Sequence, residues 1–286
     1  MNKVRSVLIT VISLLAVLIY AVFFLNDGIP ESKADGELIV TSIDIGQGDS
    51  KLIQQGDNAI LIDSGEYSER KKLINTLDSL DLTSLDYVIA THPHTDHMGS
   101  LNVVIDTYDV KHIMMPNVTA NTVSFEKLLE SISKKNLRIE RPVPGESVSA
   151  GNIKLDILAP NADKYANPNN YSIVARLEWG NTSFLFTGDA EALSEKEILD
   201  QGFNVSADVL NMGHHGSVSS TSDKFLDKVS PRIAVISRGI DNKYGHPHQE
   251  TIDKLKEKNI TVYDTATMGT ITMRSDGTRI TVTSEK

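Results

Sequence analysis

The spacing of apolar positions divides the chain into three parts. Residues 6–25 are a continuous apolar run without a charge, which is long enough to span a lipid bilayer. Residues 26–36 are polar, contain Gly and Pro and have no apolar periodicity, as is typical of a linker. From residue 37 to the end, two-residue and 3.6-residue periodicities follow one another. We therefore predict one folded domain over residues 37–286.

Strand-like and helical patterns both occur in this domain. Strands are predicted at 37–45, 50–55, 58–63 and 85–91, and again in six apolar segments after residue 170. Helices are predicted from the stripe of Leu73, Ile74, Leu77 and Leu80 and near 123–135, 194–201, 220–229 and 249–258. The third of these helices has a capping box, Ser194 with Glu197. The mixture predicts an α/β (α+β) domain of two packed sheets with helices on both outer sides.

The N-terminal run predicts export of the domain. Lys3 and Arg5 precede the apolar residues, and a positive flank of this kind stays in the cytoplasm. Residues 1–25 then form a single-pass anchor, and the domain lies outside the cytoplasmic membrane. The alternative is a cleaved signal peptide, because residues 32–34 read Ser-Lys-Ala, an acceptable cleavage site, and the domain would then be secreted.

Composition limits the chemistry of any functional site. The chain has no cysteine, so disulfides, thiolate catalysis and cysteine zinc sites are excluded, and a metal ion would need His, Asp, Glu or Asn ligands. The formal net charge is −10, and the charges of the first 36 residues cancel, so the excess belongs to the domain. Such a surface repels polyanions at long range. A nucleic acid would have to be held locally, by metal ions and a few basic side chains.

The strongest chemical signal is the segment ATHPHTDHMGS at residues 90–100, which contains three of the eight histidines. In an extended segment His92 and His94 project to the same side, so both imidazoles can bind one ion. Asp96 and His97 lie two residues further on, where the chain turns toward a helix predicted from about residue 100. They are placed to bind a second ion beside the first.

Other strand ends carry residues that complete such a site. A carboxylate in the position of Asp189, directly after an apolar strand, can bridge two cations. His214 and His215 follow another strand, and we expect one of them to be a ligand and the other to bond a substrate or a ligand. His246 and His248 lie in a loop before a helix. His112 is outside these groups, and we predict a structural or surface role for it.

These residues resemble the metallo-β-lactamase superfamily, whose H-x-H-x-D-H motif is present as His92, His94, Asp96 and His97. Five further segments are similar, in the same order, to the C-terminal extracytoplasmic domain of the ComEC competence family and its free-standing relatives: 44–50, 61–65, 184–191, 213–222 and 244–248. The resemblance implies an αβ/βα four-layer sandwich with a dinuclear metal site at one edge of its sheets.

The resemblance also implies a ligand set for two divalent ions, Zn²⁺ or Mn²⁺. His92 and His94 would hold the first ion, Asp96, His97 and His215 the second, and Asp189 would bridge them. Asp63 would support the cluster from behind. Many members supply a further histidine to the first ion, and here Asn170 is the candidate for that place. An oxygen ligand and a more open first ion would suit Mn²⁺ as well as Zn²⁺.

Two such ions sharing a carboxylate would lower the pKa of a bound water toward about 7 and give a hydroxide nucleophile. Asp96 would then be catalytic as well as a ligand, His246 or His248 would protonate the leaving group, and Ser217 would hold a phosphate oxygen. The expected function is a phosphodiesterase or nuclease acting on DNA or a small phosphodiester, such as a nucleotide or a phosphorylcholine ester. The alternatives are hydrolysis of another ester, a lactone, a thioester or a β-lactam, and a non-catalytic membrane-tethered binding module.

Overall fold

The computed structural model describes residues 36–80 and 82–286. The predicted anchor or signal segment at 1–25 and all of the predicted linker except its last residue lie outside these ranges. Within them, no helix combines the length and the apolar character needed to cross a membrane. The described residues belong to one compact unit.

Two β-sheets form the centre of the domain. In the described residues the first sheet has eight strands, in the spatial order β15 (Ile280–Ser284), β14 (Ile271–Ser275), β1 (Leu38–Ser42), β2 (Lys51–Gln55), β3 (Asn58–Ile62), β4 (Ser84–Ile89), β5 (Asp109–Met114) and β6 (Ile139–Glu140). The second sheet has seven strands over the same ranges, in the order β13 (Thr261–Asp264), β12 (Ile233–Ile236), β11 (Val209–Asn211), β10 (Thr182–Phe186), β9 (Val174–Trp179), β8 (Ile153–Ala159) and β7 (Ser147–Ala150).

Helices cover the outer face of each sheet. The helices are α1 (Arg70–Ser79), α2 (Thr95–Met98), α3 (Leu101–Thr107), α4 (Val123–Lys134), α5 (Ala192–Asp200), α6 (Asp223–Val229), α7 (Gln249–Glu257) and α8 (Thr265–Met268). Apolar residues of α1 to α4 pack on the first sheet, and those of α5 to α7 pack on the second. The predicted sandwich, with two sheets and helices on both outer sides, is confirmed.

The apolar strands are buried on both faces, which explains their nearly continuous hydrophobicity. In β3, Ile60 and Ile62 point into the core between the sheets, and Leu61 points into the core under the helices. Phe184 and Phe186 of β10 reach the same central core from the second sheet. Each such side chain contributes about 1.5–3 kcal/mol by leaving water. The central core therefore holds the sheets, and the loops at their edge, in a fixed relation.

Several local predictions are wrong. Helix α5 begins at Ala192, and the Ser194 hydroxyl is buried without a hydrogen-bond partner among the described residues, so Ser194 is not its cap. The side chain of Asn170 caps this helix instead, because its Oδ1 accepts from the backbone N–H groups of Glu191 (3.2 Å) and Ser194 (3.4 Å). Leu80, predicted on the buried stripe of α1, follows the helix end and is 38% exposed.

Candidate metal centre

Parallel strands of both sheets end at one edge of the domain, and five loops meet there. β3, β4 and β5 run parallel in the first sheet, as do β10, β11 and β12 in the second. Asp63 directly follows β3, and residues 90–94 lead from β4 into α2, which begins earlier than predicted and contains Asp96 and His97. Asp189 follows β10, and His214 and His215 follow β11. Residues far apart in the sequence therefore become neighbours.

Six side chains form two groups that could each hold a metal ion. His92, His94 and Asp189 are the first group, and Asp96, His97 and His215 are the second. Within each group one candidate ligand atom per residue lies within 4.8 Å of the others. The structure thus brings together the six residues that the sequence predicted as the main ligands.

Asp189 lies between the two groups. Its Oδ2 is 3.6 Å from Nε2 of His92, and its Oδ1 is 3.1 Å from Nε2 of His97 and 3.7 Å from Nε2 of His215. One carboxylate oxygen faces each group, which is the arrangement that a bridging ligand requires. Candidate ligand atoms within each group are also close to one another. His92 Nε2 is 3.0 Å from His94 Nδ1 in the first group, and His215 Nε2 is 3.3 Å from Asp96 Oδ2 in the second.

The outer ring nitrogen of three histidines has a protein partner, and this sets the direction of the lone pair. His215 Nδ1 donates to the carbonyl of Ser237 (2.8 Å), and His97 Nδ1 donates to Oδ2 of Asp63 (2.7 Å). His92 Nδ1 lies 3.0 Å from the hydroxyl of Thr91. When Nδ1 carries the proton, Nε2 presents a lone pair. All three Nε2 atoms point toward Asp189, as metal-binding imidazoles would.

Asp63 holds this arrangement from behind, as predicted for it. The carboxylate is fully buried and accepts from the backbone N–H of Thr91 (2.8 Å), from the Thr91 hydroxyl (2.6 Å) and from His97. Because the Thr91 hydroxyl donates its proton to Asp63, its lone pair is free to accept from His92 Nδ1. One buried carboxylate thus orients a histidine of each group.

The buried carboxylates and imidazoles of the site shift each other's pKa values. Burial alone would raise the pKa of Asp189, but the rings of His97 and His215 hold it well below its usual range. Burial would lower the pKa of His97, but Asp189 and Asp63 raise it well above its usual range. Asp189 Oδ1 is buried and accepts no hydrogen bond in the described part of the chain. This oxygen, together with the Nε2 atoms that face it, fits bound divalent cations, which would displace the ring protons.

Backbone conformation contributes to the geometry. His214 and His215 have φ angles of 49° and 57°, so two consecutive side-chain-bearing residues are left-handed, a conformation that costs roughly 1–3 kcal/mol per residue. The N–H of His214 donates to the carbonyl of Gly188 (3.1 Å), which ties the turn to the loop that carries Asp189. The two rings, 6.0 Å apart at their centroids, thereby both reach Asp189.

Gly48, in the predicted motif 44–50, permits a close backbone approach. A Cβ at this position would lie 2.1 Å from the carbonyl oxygen of Asp96, and φ of Gly48 is +128°. The neighbouring Asp49 N–H donates to this same carbonyl (3.0 Å). The glycine therefore lets the loop after β1 fix the backbone of Asp96.

The further candidate ligands have other positions. The Oδ1 of Asn170 accepts from the backbone N–H groups at the start of α5, and its role as a ligand of the first ion stays a prediction. His214 lies nearer: its Nε2 is 3.7 Å from Asp189 Oδ2, and its Nδ1 is 3.2 Å from the hydroxyl of Ser219. His112 in β5 pairs with Glu140 of β6 (2.7 Å) and stacks on Tyr87, away from the cluster, as predicted.

The predicted proton donors and phosphate contact lie at the margin of the site. Burial and the neighbouring rings of His214, His215 and His248 lower the pKa of His246 to about 4, so His246 is neutral at pH 7 and the near-neutral pKa assumed for it is not found. Nδ1 of His248 accepts from the N–H of Val218 (3.0 Å). The hydroxyl of Ser217 is 3.0 Å from that of Ser219. The catalytic roles of these three residues stay predictions.

A buried charge network that the sequence did not predict lies beneath the second group. Lys51, 1% exposed, contacts Asp49 and the hydroxyl of Ser237. Burial by itself would raise the pKa of Asp49. The charges of Lys51, His97 and His215 outweigh burial and lower the pKa below its usual range, so the carboxylate is ionised. Ser237 also supplies the carbonyl that orients His215. No local pattern could reveal this network, because Lys51 and Ser237 are 186 residues apart.

A cavity of about 310 Å³ opens onto the site. The residues that line it are Gln47, Pro93, His94, Thr95, Asp96, Thr122, Asp189, His214, His215, Tyr244 and His246. A groove of about 640 Å³ lies elsewhere, between α1 and the strands β14 and β15, and none of the candidate ligands lines it. The smaller cavity is therefore the one in which a substrate would reach both groups.

Comparison with known proteins agrees with this geometry. The family described as the metallo-beta-lactamase superfamily matches residues 43–239. "ComE operon protein 3" of Bacillus subtilis is 34% identical over 88% of this chain and 35% of its own length. "Competence protein ComA" of Neisseria gonorrhoeae is 27% identical over 85% of this chain and 33% of its own length. The chain thus spans about a third of the length of these relatives.

Among solved structures, the metallo-beta-lactamase fold protein YhfI from Bacillus subtilis is similar with a TM-score of 0.54. The similarity covers 79% of this chain and 95% of YhfI at 14% sequence identity, and at that identity it speaks for the fold alone.

Proposed function

This chain belongs to the metallo-beta-lactamase superfamily, and from that premise we propose that it is a metal-dependent phosphodiesterase or nuclease that acts outside the cytoplasmic membrane. The motif resemblance to the ComEC family is confirmed by the competence proteins among its relatives. The superfamily supports a metallohydrolase. The reaction on phosphodiesters, the identity of the metal and the location are our proposal.

The position of Asp189 carries this proposal. Its two oxygens face two groups of candidate ligands, and one of these oxygens is buried without a hydrogen bond within the described ranges. A buried carboxylate oxygen without a hydrogen bond costs about 1–3 kcal/mol or more. The cost is removed when cations bind on both sides.

The residues of the chain would divide the work as follows. His92, His94 and Asp189 would hold one divalent ion, and Asp96, His97 and His215, with Asp189, would hold the other. When bound, such a pair of ions supplies a hydroxide nucleophile at neutral pH and neutralises charge on phosphoryl oxygens. Asp63, Thr91 and Ser237 keep the imidazoles in the tautomer that binds metal. Both Zn²⁺ and Mn²⁺ suit a set of imidazoles and carboxylates.

A phosphodiester fits the cavity better than an apolar acyl substrate. Every residue that lines the cavity except Pro93 carries a polar or ionisable group, and these residues include Gln47, Thr95, Thr122 and the candidate ligands. A volume of about 310 Å³ accepts a phosphodiester with one adjoining group of nucleoside size. A polymer would have to enter with one unit at a time, as a single strand can.

The test is a hydrolysis screen with metal-stripped protein reloaded with Mn²⁺ or Zn²⁺. We expect turnover of bis(p-nitrophenyl) phosphate and of single-stranded DNA, and none of nitrocefin, a β-lactam. His97→Ala should abolish turnover, whereas His112→Ala, which removes a histidine of β5 that pairs with Glu140 of β6, should not. A folded, metal-loaded protein that hydrolyses no phosphodiester with either metal contradicts the proposal, and turnover of nitrocefin alone would favour lactamase chemistry.

The proposed location rests on residues 1–25 and can be tested separately. Lys3 and Arg5 precede the apolar run, and this charge order favours export of the domain. Protease added to intact spheroplasts should degrade the domain. Protection from protease until the membrane is opened would place the domain in the cytoplasm.

A further inference from the structure

One aromatic side chain at the cavity is exposed beside the candidate metal ligands. Tyr244 lines the same cavity as Asp189, His214 and His215, and 50% of its surface is accessible. Most of the surface of a tyrosine ring is usually buried, because the ring is apolar. An exposed ring that shares a cavity with the ligands is placed to contact the part of a substrate next to the reacting phosphate.

The loop that presents Tyr244 is held by its own hydrogen bonds. The side chain of Asn242 donates to the carbonyls of Gly239 (3.0 Å) and His246 (2.6 Å) and accepts from the N–H of His246 (2.9 Å). The N–H of Gly239 donates to Oε1 of Gln47 (3.1 Å), which connects the loop to the first sheet. A surface fixed before binding loses little entropy when a ligand binds to it.

The neighbours of the Tyr244 ring determine which substrate groups can bind beside it. The rings of Tyr244 and His246 are stacked, with centroids 5.7 Å apart and an angle of 24° between their planes. Nζ of Lys243 lies 5.1 Å from the centroid of Tyr244. The positive charge of Lys243 beside the ring repels a second cation, such as a quaternary ammonium group. The same charge attracts a phosphate.

We propose that Tyr244 is a stacking platform for a nucleobase of the substrate, and that the substrates are single-stranded nucleic acids or nucleotide phosphodiesters. This inference rests on the proposed phosphodiesterase function and names its substrate class. A base–aromatic stack needs an unpaired base, which a duplex does not offer. It also supplies the affinity that the acidic domain, with a net charge of −10 for the chain, cannot supply by long-range attraction.

The test compares substrates that share the p-nitrophenol leaving group and differ in the other ester. These are thymidine 5′-(p-nitrophenyl phosphate), methyl p-nitrophenyl phosphate and p-nitrophenyl phosphorylcholine, assayed with the full chain loaded with Mn²⁺. For Tyr244→Ala we expect kcat/KM to fall about 10-fold for the thymidine ester only, the loss that one base stack produces. Tyr244→Phe should keep the activity.

Tyr67→Ala is the matched control variant. Tyr67 is also exposed (38%), but its ring lies against Arg70 and Lys127, and it lines a different groove. A loss that is equal for the three substrates, or largest for the phosphorylcholine ester, would overturn the stacking role. So would an equal loss in Tyr67→Ala.

A binding measurement separates this inference from the proposed reaction. Fluorescence anisotropy of labelled hexathymidylate, compared with an abasic chain of the same length, needs no turnover. If Tyr244→Ala binds hexathymidylate more weakly than the wild-type protein does, and binds the abasic chain equally well, the result supports the platform even when no ester is hydrolysed. Unchanged binding of both chains refutes the platform, whereas failure of every hydrolysis assay refutes only the proposed reaction.

Discussion

At the scale of single residues, the outer hydrogen bonds of the histidines decide whether the site can bind metal. Asp63 accepts hydrogen bonds from Nδ1 of His97 and from the hydroxyl of Thr91, and both bonds end on the same carboxylate oxygen, Oδ2. An NH₂ group in that place would donate to Nδ1 of His97. The ring proton would then move to Nε2, where it would point at Asp189.

We therefore predict that Asp63→Asn lowers the affinity of the second group for Mn²⁺ or Zn²⁺ by about 10- to 100-fold, the usual effect of losing such a bond. Competition with a chromophoric chelator measures the affinity. Asp86→Asn is the control, because Asp86 binds the N–H of Ala59 and Lys111 and not a candidate ligand. Equal affinities of the Asp63 variant and the wild-type protein would show that the carboxylate does not set the tautomer.

The pH dependence of metal binding follows from the same residues. Against the effect of burial, Asp189 and Asp63 raise the pKa of His97, and Asp189 and Asp96 raise that of His215. A raised pKa means that the metal-free rings keep their protons at pH values above about 6.5, the ordinary histidine pKa. A cation must displace these protons. Metal affinity should therefore rise with pH above 6.5.

Calorimetric titration in buffers of different ionisation enthalpy measures the displaced protons. We expect proton release on metal binding at pH 7 and less release as the pH rises through the raised pKa values. The metal-free protein should also lose stability over this rise, because the stabilising charge on His97 is fully present below about pH 6.5 and disappears through its folded-state pKa. Release of no protons at pH 7 would contradict these directions.

At the scale of elements, strand ends and the loops that follow them build the site. Gly48 lies in the loop between β1 and β2 and lets that loop contact the backbone of Asp96. Gly48→Ala would place a methyl group against this carbonyl. We predict a loss of stability larger than the roughly 1–2 kcal/mol that a left-handed alanine costs by itself.

Gly56→Ala is the matched control for Gly48→Ala. Gly56 also has a positive φ, +56°, but a Cβ there would meet no atom within 4 Å in the described part of the chain. Urea unfolding of both variants separates the steric contact from the backbone conformation. Equal losses of unfolding free energy in the two variants would remove the proposed role of Gly48 in positioning Asp96.

The sequence predicted those elements whose signals are local. The H-x-H-x-D-H motif and the strand that precedes it lie within a few residues, and the strands of the central core have unbroken apolar runs. The cap of α5 was missed because Asn170 is 24 residues from Ser194, whereas the capping-box pattern looks only three residues ahead. Strands β5 to β8 and β13 were missed; β6 and β7 have only two and four residues, and polar residues interrupt the apolar runs of β5, β8 and β13.

At the scale of the whole molecule, the site lies where the two sheets come together. Lys51 on β2 of the first sheet contacts Ser237, which follows β12 of the second sheet, and Asp49. The pair is buried, so removal of the lysine leaves a charged carboxylate without its partner. Sequence periodicity can predict that two sheets pack, but it cannot show which side chains cross between them.

We predict that Lys51→Met lowers the free energy of unfolding by about 3–5 kcal/mol, the cost of breaking a buried ion pair. It should also weaken metal binding, because Ser237 orients His215. Lys111→Met, which removes an exposed lysine paired with Asp86, should cause no comparable loss. Chemical denaturation checks both variants, and similar stabilities would mean that the contact between the sheets contributes little.

The central claim is that this chain holds two divalent cations on either side of Asp189. The most direct measurement is the number of bound ions per chain after loading with Mn²⁺ or Zn²⁺ and removal of excess metal, by elemental analysis of the wild-type protein, Asp189→Asn and His112→Ala. The account predicts two ions in the wild-type protein and in His112→Ala, and the loss of at least one ion in Asp189→Asn. A folded wild-type protein that retains no ion, or an Asp189 variant that still retains two with wild-type affinity, would contradict it.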